Sequence, residues 1–194
     1  MIDLKNLNNN IIANRWKARY ANLSQEIKDK LEKLNNSKAV DYQLQVIKRK
    51  RSYPEIGDVF QINPKGDILL QGVVVNNHIN NINGEDLLLV LIFKPEIEAE
   101  VSLNKGVTSS ELLISPIIVG KEYWTRGYFY TVANNKKVEN IKNVGFYNIG
   151  KRKFVDEYGK EMLEEPPLLG SYGVATITGV AREINQELII SGIL

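Results

Sequence analysis

Residues 87–93 read Leu-Leu-Leu-Val-Leu-Ile-Phe, an apolar run with no polar position in it. A half-solvated strand alternates apolar with polar residues, and an amphipathic helix interrupts its stripe every three or four. An unbroken run of this length, ended by Pro95, fits a central strand buried on both faces. It falls far short of the ~20 residues that cross a bilayer as a helix.

The sequence around this strand follows the same β grammar. Val59, Phe60 and Ile62 lead into the turn Asn63-Pro64-Lys65-Gly66-Asp67, and Ile68–Val75 returns as a strand. Gly72 inside that strand marks a bulge or a close-packing point. An asparagine-rich loop, Asn76–Gly84, carries the single histidine, His78. Further strands are expected at Leu112–Val119, Glu122–Val132 and Tyr172–Ile177, with Gly120-Lys121 turning between the first two. Helical spacing appears at both ends of the chain. Ile12, Trp16 and Tyr20 are four apart, and Ile27, Leu31 and Leu34 continue the pattern with Ser24 as a cap, so one helix broken near Leu23 or two helices are both compatible. Val180, Ile184 and Leu188 predict a short C-terminal helix. The expected class is α+β: a mostly antiparallel, strongly bent sheet or small barrel, with an N-terminal helical extension over 1–47 packed on a β-rich body over 48–194.

Composition narrows the function. With 25 basic and 23 acidic residues the net charge is +2, so no global field selects nucleic acid or a membrane. Cysteine is absent, which removes disulfides, thiolate metal sites and a cysteine nucleophile. The N-terminus shows no basic segment followed by an apolar run, and a cytoplasmic location is expected. One histidine excludes multi-histidine metal sites and leaves a nucleophile–base pair unsupported; His78 reads as a solvated loop residue. Neither a catalytic residue nor a metal or other cofactor is expected, and the chain is read as a binding protein. The rival enzyme reading is a carboxylate-based hydrolase, with Asp58, Asp86, Asp156 and Glu157 as its available acids. A third reading, nucleic-acid binding by Lys48-Arg49-Lys50-Arg51, competes with a plain solvated linker, since the only nearby aromatic in sequence is Tyr53.

Three stretches carry binding character. Tyr123–Tyr130 holds five aromatics; drawn as a strand, it puts Trp124, Arg126, Tyr128 and Tyr130 on one face, and these are the residue types that dominate interface energetics. Glu96, Glu98 and Glu100 alternate with Ile97, Ala99 and Val101, which in an extended backbone lines three carboxylates on one edge. Asp156 and Glu157 open a second acidic patch that runs on to Glu161, Glu164 and Glu165. Rows of carboxylates can imitate phosphates in a cationic groove.

Several blocks, in order, resemble the immunity protein 26 family. Pro54-Glu55-Ile56-Gly57-Asp58-Val59-Phe60-Gln61-Ile62 is similar to its opening motif, followed by Gly72-Val73-Val74. Ser115-Pro116-Ile117-Ile118 and Trp124-Thr125-Arg126-Gly127-Tyr128-Phe129 resemble its apolar strand and aromatic block. Lys153–Glu161, Pro166-Pro167 and Tyr172-Gly173 are similar to its later segments. The resemblance runs from about residue 48 to 177, outside residues 1–47 and the individual loop Val101–Glu111. It implies a cytoplasmic antitoxin that binds and blocks a cognate toxin domain of a polymorphic or contact-dependent system, without catalytic residues. Some relatives carry a name tied to phosphotriester hydrolysis, at odds with a single histidine. The conserved-type blocks would hold the scaffold, with Gly57, Gly127 and Gly159 as backbone devices. Glu96, Glu98, Glu100, Trp124, Arg126, Tyr128, Asp156 and Glu157 are the residues expected to meet the toxin.

Overall fold

The computed structural model describes residues 10–194. The N-terminal pattern resolves into two helices. Asn10 caps α1 (Ile11–Ala21) by accepting from the amides of Ile12 and Ala13, and Ser24 caps α2 (Gln25–Asn36) by accepting from Ile27. Each cap satisfies amides that have no partner inside the helix, so the chain restarts instead of continuing through Leu23. A one-turn α3 (Ala39–Tyr42) follows.

From Asp58 the chain builds a five-stranded antiparallel sheet: β1 (Asp58–Ile62), β2 (Leu70–Asn81), β3 (Gly84–Ile92), β4 (Ile117–Val119) and β5 (Phe129–Asn134), in the order β4-β3-β2-β1-β5. Between these strands lie α4 (Ala99–Lys105) and α5 (Glu122–Thr125). A smaller sheet, β7-β6-β8, is made by β6 (Val144–Asn148), β7 (Lys153–Val155) and β8 (Leu168–Ser171), with β6 and β8 parallel. The chain closes with α6 (Ile177–Ile190), capped by Thr176.

The apolar run is indeed covered from both sides. Leu88, Val90 and Ile92 point into a cluster shared with Leu31 and Leu34 of α2, Tyr42 of α3, and Val180, Ile184 and Leu188 of α6. Leu87 and Leu89 meet Phe146 and Val155 of the smaller sheet, while Leu91 and Phe93 meet Ala99 and Leu103 of α4. The architecture is α+β: helices on one face of the main sheet, and the smaller sheet with α4 on the other. The main sheet is open and not a barrel, because its margins β4 and β5 do not pair with each other. Beyond β4, the Ala175 amide donates to the Ile118 carbonyl at 2.8 Å.

Packing explains where local pattern misled. The expected strand Glu122–Val132 is instead a helical turn followed by β5. On a strand, Tyr123 and Trp124 would point to opposite faces; the turn sends both into the core, where Phe60 stacks on Phe129 and Trp124 meets both edge to face, with centroids 4.6–5.2 Å apart. The alternating Glu96–Val101 stretch is a Pro95 turn running into α4, with Ala99 buried and its amide bonded to the Gln71 side chain at 2.9 Å. The Asn76–Gly84 loop is mostly strand, since β2 runs on to Asn81 and turns directly into β3. Of Leu112–Val119 only the last three residues are β4. The expected strand at Tyr172–Ile177 is a short connection from β8 into α6. Gly72 is a close-packing point: a Cβ there would lie 2.4 Å from the Phe60 ring and 2.7 Å from the Leu91 carbonyl oxygen.

Candidate functional site

Residues 46–53 form a strap that is fastened along its length. The Ile47 amide donates to the Gly127 carbonyl at 2.8 Å and the Lys50 amide to the Trp124 carbonyl at 3.0 Å. At the far end the Tyr53 phenol donates to the Asp86 carbonyl at 2.9 Å and accepts from the His78 amide at 3.2 Å. Gly127 makes the close approach possible. Its φ is +85°, and a Cβ there would sit 3.0 Å from the Arg49 nitrogen and from the Lys48 carbonyl carbon. Gly57 and Gly159, the other two expected backbone devices, also have positive φ.

This fastening decides where the charge goes. Lys48-Arg49-Lys50-Arg51 runs beside the α5 turn, whose C-cap is Arg126, so five cations lie along neighbouring backbone. None of them makes an ion pair with a described acidic residue. The Lys48 ammonium sits 5.6 Å from the centre of the Tyr130 ring, and Tyr128 is partly exposed beside it. The run is largely exposed, as a solvated linker would be, but its backbone is fixed at Ile47 and Lys50, and Tyr130 lies near it as well as Tyr53.

Beside the strap stands a cluster that sequence spacing did not suggest. His78 and Asp86 both hold φ near +51°, unusual for residues with side chains. Their distorted positions on the β2–β3 hairpin bring His78 Nδ1 within 3.1 Å of Asp86 Oδ1. The His78 ring stacks on Tyr53 with centroids 4.3 Å apart and planes 10° from parallel. Burial, reinforced by the nearby Asp86 charge, holds the Tyr53 phenol above its ordinary pKa, which suits its role as a donor. The pair remains open to solvent, with His78 64% and Asp86 61% exposed. His78 is thus not a solitary loop residue. Neither its spacing from Asp86 nor any periodicity would have found the pair; only the hairpin pairing and the two left-handed residues create it.

The expected contact residues fall in separate places. Arg126 and Tyr128 lie on the strap face. Trp124 does not: it is 1% exposed, its indole donating to Thr131 Oγ1 at 3.1 Å, so it is a core residue and no anchor for a partner. Glu96, Glu98 and Glu100 are exposed but form no single row, because Glu98 stands at the N-cap position of α4 and Glu100 occupies its first turn, where the helix dipole favours an anion. Asp156 accepts from the Tyr158 and Lys160 amides and so shapes its own turn. Glu157 accepts from the Asn76 side chain at 2.7 Å, tying that turn to β2. Glu161 pairs with Lys153 and Glu165 with Arg15. Asp58, one of the candidate acids, is buried and accepts from Thr131, Asn134 and the Glu55 amide, a clamp between β1 and β5. Among the described residues no three histidine or carboxylate side chains gather as a metal-binding group, and no helix is long and apolar enough to cross a membrane.

Comparison with known proteins places the middle of the chain in a family. Neither the curated proteins nor the solved structures contain a significant match to this chain. Residues 55–153, just over half of the chain, match the family described as Immunity protein 26. The match opens at the Gly57-Asp58-Val59-Phe60 strand start and takes in the hairpin, α4, α5 and β5. It ends at the first residue of β7, so α1, α2, α6 and the blocks at 154–161, 166–167 and 172–173 lie outside it. The chain belongs to the immunity protein 26 family.

Proposed function

We propose that this protein is a cytoplasmic antitoxin that neutralises the toxin domain of a polymorphic or contact-dependent system by stoichiometric occlusion, without catalysis. Family membership of residues 55–153 carries this reading. The strap face supports it physically. Arginine and tyrosine dominate interface energetics, and a strap backbone already fixed at Ile47 and Lys50 lowers the ordering cost of binding. Unpaired positive charge favours an acidic patch on the toxin and speeds encounter with it. A standard interface covers about 800 Å² on each partner, enough for the strap, Arg126 and Tyr128.

The test is to express the C-terminal domain of any secreted protein encoded next to this gene, with and without the protein. Rescue of growth and a one-to-one complex are expected, with Arg49→Glu/Arg126→Glu weakening that complex at least about tenfold. No rescue and no complex would remove the neutralisation reading; an unweakened complex would remove the strap as its contact. A second reading, a hydrolase, draws on the His78–Asp86 pair, whose exposed ring could carry a proton. Turnover of a phosphoester that vanishes in His78→Ala would favour it.

A further inference from the structure

A cleft of about 420 Å³ opens between α6 and the segments around Pro95, Leu112–Pro116 and Leu168. A second, of about 500 Å³, lies between α1 and α6. They share Arg19, Ser115, Leu169, Glu183 and Glu187, so they form one continuous groove with Glu183 where they meet. The walls of the first part are mixed: Leu112, Leu113 and Ile114 supply apolar surface, and Arg19, Lys94, Glu96, Glu183 and Glu187 supply charge.

Glu183 has no hydrogen bond and no ion pair to a described residue, although cations surround it. On α1, Arg19 uses both guanidinium arms on Glu187, at 2.7 Å each, and Arg15 uses both on Glu165. On α6, Arg182 donates to Asn35. Lys94, with Glu96 on the Pro95 turn, lines the wall without pairing. The charge that reaches Glu183 is the like charge of Glu187, which adds to burial in raising its pKa to about 7. A slot with apolar surface at Leu112–Ile114 and a carboxylate that no described residue pairs complements a short aliphatic stem with a cationic head.

We infer that this groove is a binding site for an alkylguanidinium or alkylammonium group, the chemistry at the end of an arginine or lysine side chain, with Glu183 as its counter-ion. The site is independent of the strap face. It joins α1 and α6, which lie outside the family match, to residues 94–116, which lie inside it.

Titration of the whole protein with n-butylguanidinium and with a blocked Gly-Arg-Gly peptide, followed by amide chemical shifts at pH 8, tests this. Both probes are expected to shift residues of α1, α6 and 112–116. Glu183→Gln should weaken binding at least about tenfold, and so should lowering the pH to 5.5, which protonates the carboxylate. A blocked Gly-Gln-Gly peptide serves as the neutral control. Tighter binding of the peptide identifies a protein side chain as the ligand; binding of the free cation alone identifies a small molecule. Absence of binding, or equal binding to a folded Glu183→Gln variant, overturns the inference.

Discussion

Glu183→Gln also predicts a change in stability whose pH dependence follows from the groove. The wild-type carboxyl rises from its ordinary 4.5 to about 7 in the folded protein, through burial first and the Glu187 charge second. The folded state therefore holds a proton that the unfolded chain releases earlier. The stabilising contribution of that proton is fully present below about pH 4.5 and is lost as the pH climbs to 7; above that the fold carries an unpaired, poorly solvated charge. At about 1.4 kcal/mol per pH unit the ceiling is about 3 kcal/mol. Glu183 is only partly buried, so solvent screening reduces the expected effect to about 1–2 kcal/mol. Glutamine has nearly the same shape and never ionises. Urea denaturation at pH 8 should show the variant more stable by about 1–2 kcal/mol, and at pH 5 most of that gain should be gone. A variant equally stable at both pH values, or weaker at pH 8, would show that Glu183 already has a counter-charge or free access to water. The groove argument would then fail as well.

Two further perturbations test the scaffold. Gly72→Ala forces a methyl group against the Phe60 ring and the Leu91 carbonyl inside a closed core, and should lower stability by about 1–3 kcal/mol in urea melts; a neutral result would mean that β2 can shift freely. Asp58→Ala strips the acceptor shared by Thr131, Asn134 and the Glu55 amide, and should cost about 1–3 kcal/mol, with Asp58→Asn recovering part of it. Equal stability of all three proteins would show that the clamp between β1 and β5 contributes nothing.

The opening motif of the family gains its meaning from that clamp. Gly57 takes a left-handed φ so that its amide reaches the Val74 carbonyl, Asp58 ties β1 to β5, and Val59 and Phe60 enter opposite faces of the sheet. Each residue has a job that depends on neighbouring strands, which a short motif by itself does not reveal.

What the sequence by itself determined was anything governed by local periodicity, caps and hydrophobicity. That includes the buried strand at Leu87–Phe93, the helices started by Ser24 and marked by Val180, Ile184 and Leu188, and the family. Contacts between distant segments were decided only by the tertiary structure. A demand for aromatic burial overrode the strand pattern at Tyr123-Trp124, and Pro95 with α4 broke up the glutamate row. The small strands β6 and β7 are too short to show an alternation. The basic strap, the His78–Asp86 pair and the Glu183 groove each join residues far apart in the chain or bent by an uncommon backbone angle. No one-dimensional spacing records such meetings, because hydrogen bonds and close packing create them only after the sheet has formed.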